Sequence, residues 1–161
     1  MSFDVFAQAF RDGSGGAGDV AAARAVISTV CYKHNSEFRS YNVEFPDGSE
    51  LEMYADPLDG SKPFAGAMFA LRALTDSVAN FMFEFTRAAG WVLLPAMEPA
   101  CILLVSEEQS KHLPEDLSAD RQVIVVSSGG ELAAALDGGY DSWRAYRDRV
   151  VGRSDGSINQ T

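Results

Sequence analysis

The carboxyl group with the best setting for acid chemistry is that of Glu98. It lies between Met97 and Pro99, and Pro95 precedes it by three residues. Apolar neighbours raise the pKa of a carboxyl group because they desolvate its charged form, and a raised pKa suits a general acid. No second titratable group can be placed beside Glu98, so the sequence predicts no catalytic residue. One hypothesis is therefore a small-ligand-binding protein, or an enzyme, with a pocket around Trp91, Met97 and Glu98 at strand ends.

Other patterns that could carry chemistry are incomplete. Gly13, Gly15 and Gly18 match G-x-G-x-x-G, but a hairpin follows where a dinucleotide-binding fold needs a parallel strand. We therefore expect a flexible glycine loop. Cys31 and His34 stand at the predicted end of a helix, where we expect a packed thiol and an exposed histidine. With two histidines and no H-E-x-x-H pattern, the sequence predicts no metal site and no cofactor.

A cluster of carboxylates is the strongest functional signal. No basic residue interrupts the acids Glu44, Asp47, Glu50, Glu52, Asp56 and Asp59. Side chains alternate along a strand, so Glu44, Glu50 and Glu52 are expected to share one exposed sheet face, with Tyr54 at its edge. We call these six acids and Tyr54 the acidic hairpin. Like charges held close repel one another, so this face is expected to attract a cationic partner, although a solvated sheet face has the same pattern.

The overall charge is consistent with a basic partner. Asp and Glu number 23 against 13 Lys and Arg, which gives a formal charge of −10. Such a chain repels phosphate backbones and anionic lipids, so we expect neither nucleic acid nor a membrane as a partner. The leading hypothesis is a non-enzymatic interaction protein that binds a basic protein through the acidic hairpin. Acidity that serves only solubility is the alternative.

Length and patterning predict one domain. The chain has 161 residues, of which 47% are hydrophobic, enough for a single core over residues 1–151. Residues 152–161 are polar and are expected to form a mobile tail. No export signal, disulfide framework or apolar stretch of about 20 residues is visible, so we expect a cytoplasmic protein. The oligomeric state stays open.

Hydrophobic periodicity predicts an α+β fold, with a mixed or mainly antiparallel sheet and helices packed on one side. The clearest local signal is a hairpin whose two strands flank the turn Pro46-Asp47-Gly48-Ser49. Strands are predicted at 3–10, 41–45, 51–55, 64–71, 91–94, 101–105 and 123–126. Helices are predicted at 19–33, 75–89, 106–111, 128–136 and 140–150, with Gly138-Gly139 ending the fourth.

Four segments carry a resemblance. They are residues 45–50 (FPDGSE), 68–72 (MFALR), 94–99 (LPAMEP) and 140–151. Over residues 1–151 the chain resembles a group of small uncharacterised bacterial proteins, and this resemblance implies no activity, cofactor or catalytic residue. In size, acidity and lack of catalytic motifs it is also similar to immunity proteins that neutralise bacterial toxins.

Overall fold

The protein is a single α+β domain built on one large sheet. The structure is a computed structural model that describes the backbone of residues 2–159 and the side chains of residues 2–141, 144, 145 and 147–150. The strands are β1 Phe3–Gln8, β2 Phe10–Arg11, β3 Ser14–Gly15, β4 Cys31–Asn35, β5 Ser40–Glu44, β6 Glu50–Ala55, β7 Gly66–Leu71, β8 Val92–Pro95, β9 Cys101–Leu104 and β10 Gln122–Val125. The α-helices are α1 Val20–Ile27, α2 Asp76–Ala89, α3 Glu115–Ala119 and α4 Gly129–Asn159, and a 3-10 helix covers Glu107–His112.

Eight strands form the sheet in the order β10-β9-β8-β1-β7-β6-β5-β4. The central strand β1 is antiparallel to both of its neighbours, β7 and β8, and only the β9–β10 pair is parallel among the described strands. The predicted fold class, an α+β domain with a mixed, mainly antiparallel sheet, is confirmed, although α3 packs on the face opposite the longer helices. The connections within the pairs β4–β5, β5–β6 and β8–β9 are short, as hairpin geometry allows, whereas β1 pairs with strands that lie far along the chain.

One face of the sheet, which we call the inner face, packs against the helices. Because side chains alternate along a strand, every second residue of β1 points inward, and Phe3, Val5 and Ala7 are all buried. Helix α2 supplies most of the opposing surface. Thr75 caps its first turn by accepting a hydrogen bond from the Val78 amide, and Gly90 ends it in the left-handed conformation with φ 75°.

The first helix is shorter than predicted, and an unpredicted strand follows it. Helix α1 ends at Ile27, where the hydroxyls of Ser28 and Thr29 bond back to carbonyls of the last turn. Cys31–Asn35 then forms β4, which pairs with β5. The prediction of a helix to residue 33 was wrong because pairing along the edge of the sheet satisfies this backbone, which local propensity does not reveal.

The last helix is longer than predicted. Gly138 and Gly139 do not end it, since α4 runs without a break from Gly129 to Asn159. Glycine costs about 1 kcal/mol in a helix interior, so tertiary packing must compensate. The backbone of residues 152–159 thus continues α4, residues 160 and 161 lie outside the described residues, and the predicted mobility of residues 152–161 stays a prediction. Within the part of the chain that the structure describes, no helix is both long and apolar enough to span a bilayer.

Candidate functional site

The sheet face opposite α1, α2 and α4, which we call the outer face, is only partly covered. Over β8 and β9 the buried residues Val92, Ile102 and Leu104 form a small second core, which Leu113 and Leu117 cover. Over β1, β7, β6 and β5 no described helix packs on this face, and Phe6 at its centre is 47% exposed. A row of large side chains crosses it through the registered positions Leu94, Phe6, Met68 and Tyr54.

An open cleft of about 820 Å³ lies where β8 ends and where β9 and β10 begin. Its walls are mostly apolar and come from β1, from the loop between β8 and β9, and from α4. The lining residues are Phe6, Leu94, Pro95, Ala96, Met97, Glu98, Ala100, Cys101, Arg121 and Gly139. Ligand pockets in proteins range from about 300 to 1,000 Å³, so this cleft has the size for a small organic molecule.

Two opposite charges and one thiol lie among these walls. Glu98 is exposed, and Arg121 is half-buried, with Nη1 donating to the Leu117 carbonyl at 3.2 Å. Burial raises the pKa of the Cys101 thiol, so the thiol stays protonated and is a poor nucleophile. No hydrogen bond joins a base to Cys101 within the described residues, so these groups suit binding better than covalent chemistry.

The structure places the predicted pocket residues at opposite ends of β8. Met97 and Glu98 line the cleft. Trp91 precedes β8 at its other end and is 0% exposed, in ring contact with Phe64 and Phe85. Trp91 therefore belongs to the inner core and not to the cleft.

Phe6 and Arg121 belong to the cleft but were not predicted there. The alternation of β1 was a usable signal for Phe6, because Phe6 is the apolar residue on the polar face of that strand. Nothing local marks Arg121, which reaches the cleft because β10 lies two strands from β8 in the sheet.

The loop that carries Met97 and Glu98 is held against helix α4. A Cβ atom added to Gly139 would lie 2.7 Å from Met97 Cβ, 2.9 Å from Met97 Sδ and 3.1 Å from the Phe3 ring. Only a glycine at this position allows the helix and the loop to approach so closely. This contact explains why the helix tolerates Gly139 and how one wall of the cleft is positioned.

The predicted hairpin that carries the acidic residues forms. Strands β5 and β6 are antiparallel, with Glu44 opposite Glu50 and Asn42 opposite Glu52. Glu44, Glu50, Glu52 and Tyr54 lie on the outer face, while the alternate residues of both strands are buried. The shared face of the three glutamates is therefore confirmed.

Neighbouring segments supply cations that the linear sequence does not place there. Lys33 Nζ lies 3.3 Å from Glu44, Arg72 Nη1 lies 2.7 Å from Glu52, and Arg39 Nη1 lies 3.2 Å from Asp56. The expected concentration of negative charge is accordingly reduced. Lys33 comes from β4, whose existence the sequence analysis missed, and Arg72 directly follows β7.

The remaining acids of the hairpin differ in environment. Hydrogen bonds from Ser49 hold the pKa of Asp47 below its ordinary value. Hydrogen bonds from Ser61 likewise lower the pKa of Asp59. Both aspartates therefore stabilise turns of the backbone. The Tyr54 hydroxyl donates to Glu52, which lowers the pKa of Glu52 and raises that of Tyr54. Glu50 is exposed and makes no ion pair with any residue whose side chain the structure describes.

The other sequence motifs are structural. Gly13 and Gly15 lie in the short hairpin β2–β3, and a Cβ at Gly18 would lie 2.7 Å from the Ala89 carbonyl oxygen. Cys31 is exposed on β4, so it is not the packed thiol that the helix prediction implied. His34 stacks on Tyr41 with ring centroids 4.2 Å apart. Among the described side chains, no group of three His, Cys, Asp or Glu residues could hold a metal ion.

No family model, curated protein or solved structure matches this chain. What it binds has to be inferred from its own residues.

Proposed function

We propose that this protein is a non-enzymatic binding protein that holds a small amphipathic molecule in the cleft at the end of β8. The observation that carries the proposal is the cleft itself, about 820 Å³ in volume, with apolar walls and the opposite charges of Glu98 and Arg121. Few charged groups in a mostly apolar pocket are typical of sites that orient one end of an organic ligand.

The chemistry of the walls defines the ligand class. Phe6, Leu94 and Met97 offer apolar contact to a hydrocarbon or aromatic body. The Arg121 guanidinium suits a carboxylate, sulfonate or phosphate group, because it presents a planar set of donors to paired oxygens. Glu98 is a counter-charge for an amine on the same ligand. The cytoplasmic location that the sequence predicts is part of this proposal.

Narrowing the cleft is expected to weaken binding. Anilinonaphthalene sulfonate, an aromatic anion, is a suitable probe because its fluorescence rises in apolar sites. Replacement of the exposed cleft residue Ala96 with tryptophan (Ala96→Trp) places a large ring between the walls. We expect the affinity for the probe, measured by fluorescence titration, to fall at least about tenfold, which corresponds to about 1.4 kcal/mol.

The matched control is Ala65→Trp, which adds the same ring to an exposed alanine outside the cleft. This variant is expected to bind the probe as the unchanged protein does. Equal affinity in all three proteins would show that the probe binds elsewhere and would contradict the proposal. A screen of zwitterionic and anionic metabolites by thermal shift then identifies candidate ligands, since a ligand at 100 times its Kd adds about 2.7 kcal/mol of stability.

The acidic hairpin supports a second candidate function, binding of a basic protein such as the toxin that an immunity protein neutralises. The observation in its favour is that Glu50 lies directly opposite Glu44 and forms no ion pair with a described side chain. Like charges directly opposite on two strands are unfavourable, so a partner's Lys or Arg beside Glu50 would relieve this repulsion. The ion pairs of Glu44, Glu52 and Asp56 within the protein make this the weaker candidate.

Charge reversal tests the second candidate. The triple variant Glu44→Lys, Glu50→Lys and Glu52→Lys is expected to abolish salt-sensitive binding of a fluorescent oligolysine peptide, measured by anisotropy. The control variant reverses three exposed acids elsewhere, Glu107, Asp120 and Asp137, and so changes the net charge equally. If both variants lose binding to the same extent, net charge and not the hairpin attracts the peptide.

A further inference from the structure

The sheet edge at β10 is open and apolar. Strand β10 is last in the strand order and pairs only with β9 among the described strands. Its Val123 and Val125 are 40% and 44% exposed, and no charged residue lies within Gln122–Val125. Proteins commonly protect edge strands with a lysine, a proline or a bulge. The opposite edge strand, β4, carries Lys33 at its centre, whereas β10 has no such protection.

The backbone groups of both valines face the open edge. The amide of Gln122 donates to the Ala100 carbonyl at 3.4 Å, and the amide of Val126 donates to the Leu104 carbonyl at 2.8 Å. Even-numbered residues of this segment therefore face β9. Because the direction of backbone hydrogen bonding alternates along a strand, the N–H and C=O groups of Val123 and Val125 point away from β9. No hydrogen bond to another described residue occupies these groups, so they can pair with one further strand.

We propose that β10 pairs antiparallel with β10 of a second copy of this chain, about a two-fold axis at Ile124. This register puts Val123 of each copy opposite Val125 of the other. In a hydrogen-bonded antiparallel pair the two residues exchange both of their backbone bonds, so both valines of each copy become satisfied. The interface is the same patch used twice, as in most homodimers.

Charges at the two ends of the strand are complementary in this register. Arg121 of one copy falls opposite Ser127 of the other. The Ser127 amide donates to Glu131 Oε2 at 2.6 Å, and the Ser127 hydroxyl donates to the same carboxylate. A carboxylate therefore lies at the end of the strand where the second copy's guanidinium arrives. The two-fold axis repeats this pairing at the other end.

The apolar side chains are also complementary. Val123 is registered beside Ile102, and Val125 is registered beside Leu104, both of which are 0% exposed in the small core of the outer face. Pairing of two β10 strands brings the four valines together and extends this core across the dimer. Arg121 is common to this interface and to the cleft, but the four valines that form the strand pairing do not line the cleft, so the dimer can be tested separately from the proposed function.

Sedimentation velocity of the full chain over a wide concentration range tests the dimer. The unchanged protein is expected to show a dimer fraction that rises with concentration, and the variant Val123→Lys with Val125→Lys is expected to remain monomeric throughout. The control is Tyr32→Lys, which alters a residue of the other edge strand, β4. Tyr32 is 42% exposed, and this variant is expected to dimerise as the unchanged protein does. A monomer at every concentration in the unchanged protein, or an unaltered dimer in the double-lysine variant, would overturn the proposal.

Disulfide crosslinking tests the register. Val123→Cys and Val125→Cys are made separately in a Cys31→Ser background, which removes the exposed thiol. Residues in a hydrogen-bonded antiparallel pair have Cα atoms about 5.5 Å apart, within the range for a disulfide. Oxidation of the mixture should therefore give crosslinked heterodimer, seen by mass spectrometry, in excess of either homodimer. Equal crosslinking of the mixture and of each variant alone would overturn the antiparallel register and the proposal.

Discussion

Replacement of Phe85 with alanine is expected to destabilise the protein by about 3–5 kcal/mol, the range for large-to-small substitutions of buried aromatic residues. Phe85 is 0% exposed on α2 and is at the centre of an aromatic cluster. Its ring contacts those of Phe64, Phe69, Phe81 and Trp91, with centroid separations of 6.4, 6.4, 5.5 and 5.6 Å. Removal of this ring leaves a cavity between α2 and the inner face of the sheet.

Urea denaturation followed by circular dichroism measures the effect of Phe85→Ala as a fall in the midpoint at a similar m-value. The matched control is Phe38→Ala, since Phe38 is 64% exposed and the same atoms are removed from the surface. We expect the control to change stability by no more than about 0.5 kcal/mol. A loss below about 1 kcal/mol for Phe85→Ala would contradict the central position of this ring.

Adjacent glycines of α4 are expected to respond to alanine in opposite directions. Gly139→Ala introduces a methyl group 2.7 Å from Met97 Cβ, so the loop or the helix must shift, and such overpacking typically costs about 1–3 kcal/mol. At Gly138 an added Cβ would have nothing within 4 Å. Gly138→Ala is therefore expected to stabilise the protein by up to about 1 kcal/mol through helix propensity alone.

The two glycine variants are also expected to differ in ligand binding at the cleft. Both Met97 and Gly139 line it, so displacement of the loop in Gly139→Ala should reduce probe binding, while Gly138→Ala leaves binding unchanged. Urea denaturation and fluorescence titration of the two variants measure these effects. Equal stabilisation by both alanines would mean that α4 and the Met97 loop are further apart than the structure has them.

Much of the fold can be predicted from the chain because its signals are local. Hydrophobic periodicity predicted a strand over residues 3–10, and β1 forms at Phe3–Gln8. The turn at 46–49 predicted the hairpin β5–β6 and the shared face of its glutamates. The helix predicted at 75–89 forms as α2 at Asp76–Ala89, because a cap such as Thr75 and a left-handed residue such as Gly90 act within one turn of helix.

Contacts between distant segments determine the features of the fold and of the candidate sites that these local signals did not predict. Nothing near Glu44, Glu52 or Asp56 in the sequence predicts their partners Lys33, Arg72 and Arg39, because the sheet brings those cations together with the hairpin. Three further features could not be predicted from local patterns: strand β4, the uninterrupted helix α4, and the cleft that Phe6 and Arg121 both line. Capping, turns and alternation are properties of a few neighbouring residues, whereas charge balance and the shape of a cavity depend on which elements the core places side by side.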